Sequence, residues 1–239
     1  MNDKLQEFLG KIDTKLPTIF AKTKNSDKVD VVATFSQDSE GVMATTGWCV
    51  IDTFPEESFS MEPDTLKSLL ELGKELSVKD GNLIAVDRET NSIVFWRLKY
   101  ENIETINITY DEKPIVVPAN IINKLKAVSE LKVAPSNFRF VAKNNILTIN
   151  ASIGDSGDKF NVRIPGQLPD LDVRFDGTVA NIFKLLSGDI SMIIPADNTK
   201  PTQVTTTGDG WLVRHYLVPI DMDENTSQMP TYTNDEQGE

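Results

Sequence analysis

The residues from which nucleophilic, metal or phosphate chemistry could be assembled are few: one histidine, one cysteine and a glycine-acid run at 154–159. His215 is the single histidine, so a histidine-based metal cluster is excluded, and a Ser/His/Asp triad would have to use this one residue. It lies within an alternating apolar stretch, 211–218, and reads as a strand-face or edge histidine. Cys49 follows Trp48 and reads as a small core thiol. A lone cysteine also rules out an internal disulfide framework and fits a reducing compartment. Gly154-Asp155-Ser156-Gly157-Asp158-Lys159 lacks the G-x-x-x-x-G-K-[ST] spacing of a phosphate loop and sits between two strand-like runs, so it reads as a hairpin turn. Asp221, Asp223 and Glu224 could meet a metal, but the run they belong to reads as solvated. No catalytic residue, metal site or cofactor is therefore assigned. Scattered carboxylates can still pair in space, which keeps an enzyme with a carboxylate site open.

What remains is lysine at helical spacing. Four amphipathic stretches begin near Asp3, Pro63, Pro118 and Thr178, so their starts lie 60, 55 and 60 residues apart, and each is followed by β-rich sequence. A fixed period means one supersecondary unit used several times. Taken as 3–16, 62–76, 119–132 and 178–187, the stretches hold nine Lys and eight acids. The rest of the chain holds 15 bases and 28 acids, so the net charge of −12 sits off the helices. Taken alone, −12 argues against nucleic acid. An acidic set of solvated loops and strand edges explains it equally well.

The elements that carry these residues follow from periodicity. Leu5, Phe8, Leu9, Ile12 and Leu16 recur at helical spacing, with Lys4, Lys11 and Lys15 on one flank. Gly10 weakens this helix by about 1 kcal/mol relative to alanine, and Pro17 stops it. The second helix opens on Glu62-Pro63-Asp64, buries Leu66, Leu69, Leu70 and Leu76, and carries Lys67 and Lys74. The third buries Ile121, Ile122, Leu125, Val128 and Leu131 and carries Lys124 and Lys126. The fourth follows Thr178 as N-cap, buries Val179, Ile182, Phe183 and Leu186, and carries Lys184. Pro63 and Pro118 are each followed twelve residues later by a Glu-Leu-x-Val run, an internal match. Strands are expected at 18–22, 29–35, 41–46, 48–53, 83–87, 92–98, 138–142, 146–153, 160–164, 190–194, 202–207 and 211–218, with Asn144-Asn145 as a hairpin turn. Many antiparallel strands with sparse helices define an α+β chain with the helices on one face of the sheets. The organisation reads as an N-terminal domain (1–98), an extended connector (99–117), a C-terminal domain (118–220) and a tail (221–239). That tail has six acids and no base and is expected to be disordered. No run of 18 apolar residues is present and the first residues carry no apolar core, so neither a membrane span nor a secretory signal is expected.

This pattern resembles the DNA sliding clamp of the trimeric kind, the type of the T-even phages and of the proliferating cell nuclear antigen. Two local matches carry the resemblance. Asp80-Gly81-Asn82-Leu83-Ile84, Asp87 and Ile93-Val94-Phe95-Trp96 resemble the end of the first domain in T-even-type phage clamps. Trp211 to Ile220, with acids after it, resembles the last strand and tail of cellular and archaeal clamps. The resemblance implies a non-enzymatic processivity factor: a homotrimeric ring around duplex DNA, bound without regard to sequence, that tethers a DNA polymerase and is served by a clamp loader. It implies pore contacts from Lys4, Lys11, Lys15, Lys67, Lys74, Lys124, Lys126 and Lys184, with an acidic exterior. It also implies a partner-peptide pocket formed by Tyr100, Ile103, Ile106, Tyr216, Val218, Pro219 and Ile220. The T-even-like first half points to a viral protein working in the cytoplasm of an infected host. Glu7, Asp13, Glu71 and Glu75 on the same helices would make the hole less positive than in typical clamps. A structural or virion interaction protein of the same α+β class that never meets DNA remains the alternative.

Overall fold

The computed structural model describes residues 3–12, 18–22, 28–34, 43–51, 54–73, 75–98, 108–154, 158–197 and 199–220. Four helices are present among them: α1 (Asp3–Leu9), α2 (Pro63–Leu72), α3 (Ala119–Ser129) and α4 (Val179–Leu185). The strands are β1 (Thr18–Lys22), β2 (Lys28–Thr34), β3 (Met43–Val50), β4 (Phe59–Met61), β5 (Glu75–Lys79), β6 (Asn82–Asp87), β7 (Ser92–Arg97), β8 (Ile115–Val116), β9 (Pro135–Lys143), β10 (Ile146–Ile153), β11 (Asp158–Pro165), β12 (Leu171–Asp176), β13 (Asp189–Ile193), β14 (Thr202–Gly208) and β15 (Trp211–Leu217). They form an eight-stranded sheet in the order β4-β1-β2-β3-β15-β14-β13-β8, a four-stranded sheet β11-β10-β9-β12 and a three-stranded sheet β5-β6-β7. All the pairings are antiparallel, as expected for an α+β chain.

Turn chemistry fixes the hairpins. Asp80 and Gly81 both have positive φ (51° and 74°), as do Asn144 and Asn145 (54° and 61°). Two consecutive left-handed residues make the turn whose twist matches the flanking strands. Strand alternation then selects the buried face. On β9, Phe138, Phe140 and Ala142 point inward while Arg139 and Lys143 point out. Phe138 packs edge-on against Phe183 of α4 with centroids 5.1 Å apart, so helix and sheet close over one core.

There are two cores. One joins α1, α2 and sheet β5-β6-β7 through Leu5, Phe8, Leu66, Leu69 and Leu83, and takes in Trp211 and Val213 from β15. The other joins α3, α4 and sheet β11-β10-β9-β12 through Leu125, Phe140, Leu147, Ile164 and Phe183. Ile115 and Val117 belong to this second core, so the last residues of the expected connector form edge strand β8 and pack with it.

The halves meet at β3 and β15, which pair from Trp211↔Cys49 to Leu217↔Met43. Gly47 lies opposite Val213 and beneath Phe8; a Cβ there would stand 2.5 Å from the Leu212 carbonyl oxygen and 3.2 Å from the Phe8 ring. Glycine is required because helix α1 presses the two strands this closely. Thr45 lies opposite His215, whose Nδ1 is 3.1 Å from Thr45 Oγ1, and the ring is fully buried.

Several elements differ from expectation. α1 stops at Leu9, before Gly10, whose N–H donates to the Gln6 carbonyl. Lys15 and Leu16 fall outside the described residues. The expected strands 41–46 and 48–53 are one strand, β3, because Gly47 continues the ladder instead of breaking it. α2 ends at Leu72, and Gly73 fits against the β6 backbone, where a Cβ would lie 2.7 Å from Val86 N. Leu76 therefore sits on β5, not on the helix. The Glu-Leu-x-Val match is not structural: Glu75 opens a strand, whereas Glu130 caps α3 and leaves Leu131 and Val133 exposed. Thr178 has helical dihedrals and makes no side-chain cap; Asp176 Oδ1 instead accepts the Thr178 N–H at 2.7 Å.

Gly47→Ala is expected to cost about 1–3 kcal/mol by overpacking the seam, read as a shift in the denaturation midpoint at constant slope. A second expectation concerns acid. Burial pushes the His215 pKa down to about 3, whereas the unfolded chain takes up that proton near pH 6.5. Native protein binds fewer protons in between, so this contribution is complete above the unfolded pKa. It is lost from there down to about pH 3, by up to about 1.4 kcal/mol per unit. Stability measured between pH 7 and 5 should fall less steeply in His215→Gln.

Candidate functional site

The candidate surface is the solvent side of the helices. On α3 the exposed residues include Asn120, Asn123 and Lys124, and on α4 they are Asn181 and Lys184. These two helices pack against each other through their buried flanks. Their outward surface is lysine and amide, with no carboxylate before Glu130 at the end of α3. Such a surface can donate hydrogen bonds and positive charge to phosphates without reading bases.

The lysines of the first half behave differently. Lys4 pairs with Asp209 at 3.0 Å. Lys11 is half-buried, 6.0 Å above the Trp211 ring. Burial lowers its pKa, Glu7 raises it, and Lys126 of α3 lowers it further, so Lys11 and Lys126 act on one another across the two halves. Lys126 donates to the Leu186 carbonyl at 3.2 Å, tying α3 to the end of α4. Lys67 is half-buried, and Asp64 and Glu71 are exposed on its helix. Thus Lys124 and Lys184 stand out into solvent, Lys4 is neutralised, and Lys11 and Lys126 are partly spent on local contacts. Lys15 and Lys74 lie outside the described residues, as does Asp13.

The expected exterior also needs correction. The face of sheet β11-β10-β9-β12 turned away from α3 and α4 carries Arg139, Lys143, Lys159, Arg163 and Arg174 against Asp172 and Asp176. That part of the outside is basic, because alternation puts these cations on the non-core side.

Of the expected peptide pocket, Tyr100, Ile103 and Ile106 lie outside the described residues. Tyr216 is 6% exposed, so it contributes to the core more than to a surface. Val218, Pro219 and Ile220 are half-buried and run on toward β12, where the Ile220 N–H donates to the Arg174 carbonyl at 2.8 Å. The residue that sequence reading missed is Tyr110. Its hydroxyl donates to the Pro201 carbonyl at 2.8 Å, and Glu112 Oε1 accepts the Ala196 N–H at 2.8 Å. Burial first, then Tyr216 and Glu112, raise the Tyr110 pKa well above the usual phenol. These bonds fasten the end of the connector segment to the β13–β14 loop. A lone aromatic before an acidic turn was the available signal.

Cys49 is buried, and desolvation raises its pKa to about 11, so it stays a thiol. Among the described residues, no three His, Cys, Asp or Glu side chains come together as a metal-ligand set. No described helix is long and apolar enough to cross a membrane.

Three continuous antiparallel sheets with four helices of this order make the sliding-clamp fold. Solved structures that share it include the following two. Proliferating cellular nuclear antigen from Entamoeba histolytica superposes with a TM-score of 0.67 at 12% identity, over 91% of this chain and 95% of that one. The beta chain of DNA polymerase III from Streptococcus pneumoniae TIGR4 gives 0.64 at 12% identity, over 91% of this chain and 62% of that one. No family model matches the sequence, and no curated protein matches it.

An alkaline titration followed by tyrosinate absorbance should show a phenol that resists ionisation near pH 10, where an exposed tyrosine titrates. Tyr110→Phe should remove that late step; its persistence would place the buried phenol elsewhere.

Proposed function

We propose that this chain is a sliding clamp: a ring of three identical subunits that encircles duplex DNA, tethers a DNA polymerase, and is opened by a clamp loader. The observation that carries the reading is the lysine and asparagine surface of α3 and α4, free of carboxylates until Glu130; on the sliding-clamp reading this is the surface that lines the pore. Contacts there are to the phosphate backbone, sequence-independent and salt-dependent, with Lys124 and Lys184 as the main cations. The first-half helices add little, since Lys4 is paired and Glu7, Asp64 and Glu71 are exposed beside the remaining lysines. No catalytic role is assigned. The T-even-like residues 80–96 favour a viral source and an infected-cell cytoplasm as the place of action.

Ring closure needs two free strand edges. Among the described residues β7 has no partner on one side, and it exposes Ile93 (56%), Phe95 (63%) and Trp96 (46%). Among the described residues β11 is an edge strand of the sheet in the other half. Pairing β7 of one subunit with β11 of the next is a head-to-tail contact, the kind that closes rings. It would also cover the apolar side chains of β7.

Native mass spectrometry at micromolar concentration is expected to give a trimer, and Phe95→Asp to give monomers. Lys124→Glu with Lys184→Glu should leave the trimer intact and shorten the products made by the cognate polymerase on a circular primed template. A chain that stays monomeric would sink the ring, and unchanged product length in the double variant would sink the pore assignment.

A further inference from the structure

The basic outer face of the four-stranded sheet is used neither by the core nor by the pore. Register places Arg174 of β12 directly opposite Arg139 of β9, and Arg139 opposite Asn150 of β10. Like charges directly across a ladder destabilise it unless something neutralises them. Asp172 engages Arg139 through both oxygens, with its Oδ1 at 2.7 Å from Nε. Arg174 and Lys159 make no ion pair among the described residues. Between them lies a concavity of about 350 Å³ lined by Arg139, Arg174 and Lys159 with Asn137, Asn150 and Ser152. Among the described residues the lining carries no carboxylate, and since Asp172 already engages Arg139, Arg174 and Lys159 supply its unpaired positive charge beside two amides and a hydroxyl, a lining suited to an anion.

The chain itself brings an anion to that edge. Ile220 is hydrogen-bonded to the carbonyl of Arg174, so the segment that follows starts beside the cations. Residues 221–239 contain six acids, Asp221, Asp223, Glu224, Asp235, Glu236 and Glu239, and no base. The sheet is about 15 Å across, three spacings of about 4.8 Å, and an extended chain covers about 3.3 Å per residue. The length of the segment is therefore enough to span from Arg174 and Arg139 at one side to Lys159 at the other.

We propose that the acidic segment 221–239 docks in cis across the basic outer face of sheet β11-β10-β9-β12 and screens it from external polyanions. Tethering supplies a millimolar effective concentration, so the segment outcompetes a free polyanion without strong individual contacts. Each exposed pair is weak, and salt screens all of them, so docking is labile by construction. The proposal does not depend on the ring: it concerns one subunit.

The test uses the full chain with a spin label at Thr148→Cys, on the same face; Cys49 is buried and does not compete for the label. At about 50 mM salt, where the Debye length exceeds 10 Å, amide signals of 221–239 should be broadened by the label. They should sharpen at about 0.5 M salt and in the Arg139→Gln, Arg174→Gln, Lys159→Gln variant. Tail signals indifferent to the label, or to these three substitutions, overturn the proposal. A second measurement separates occupants. With all six tail carboxylates replaced by amides, a fluorescent single-stranded oligonucleotide should bind about fivefold or more tightly at low salt, and the three sheet substitutions should abolish that gain. Equal binding before and after neutralising the tail would mean the face is open to nucleic acid, and would overturn the proposal too.

Discussion

The pairing of β3 with β15 is the constraint on which the rest of the structure depends. Those two strands come from opposite ends of the sequence, and their ladder turns two helix-and-sheet layers into one eight-stranded sheet. Among the described residues, no other strand pairing joins the halves. The seam is built to be close and dry: Gly47 admits Phe8, Trp211 and Val213 enter the first core, and His215 is held neutral beside Thr45. Neutrality matters because a charge at that depth would have no counter-ion. The hydroxyl of Thr45 engages one ring nitrogen, while Nε2 has no partner among the described residues. The seam therefore trades some hydrogen bonding for close apposition of strands.

With the sheet continuous, the helices divide into two pairs of unlike chemistry. α3 and α4 present lysine and asparagine; α1 and α2 present a mixture in which acids and local pairing cancel the lysines. A count of charge by helix hides this difference, because it weighs Lys4 and Lys184 equally. The same count hides the basic outer face of the four-stranded sheet, since the charge of −12 is carried by loops and by residues 221–239 as well as by exposed strands.

Much of the fold was legible because the chain is locally consistent. Alternation in 135–153, the Asn144-Asn145 turn, and Pro63 at the start of α2 each point to one structure, and each is found. The misses have physical causes. β4 is three residues long and β5 follows α2 so closely that the leucine period runs through Leu76. β12 interleaves Asp172, Arg174 and Asp176 with its apolar residues, and sequence alone did not separate it from the preceding loop. Strand β3 was expected as two runs, 41–46 and 48–53, because the packing of Phe8 of α1 against Gly47 is visible only in the structure. The lysine positions on α3 and α4 were readable; the capture of Lys4 by Asp209 was not, because that contact joins residues 205 apart in sequence. The basic face was readable in principle from Arg139 and Lys143, and from Lys159 and Arg163, each pair four apart on one side of a strand. The tally by helix drew attention away from it.

The continuous sheet also says where this molecule can yield. Eight hydrogen-bonded strands resist bending across the middle, because every degree of flexure must stretch a ladder that the two cores clamp from one side. Among the described residues the two smaller sheets share no hydrogen-bonded ladder with that beam and meet it through side-chain packing in the two cores, helices and loops. Compliance therefore belongs to the extremities: a load applied at either end of the molecule would be absorbed at the outlying strands, leaving the central girder unbent.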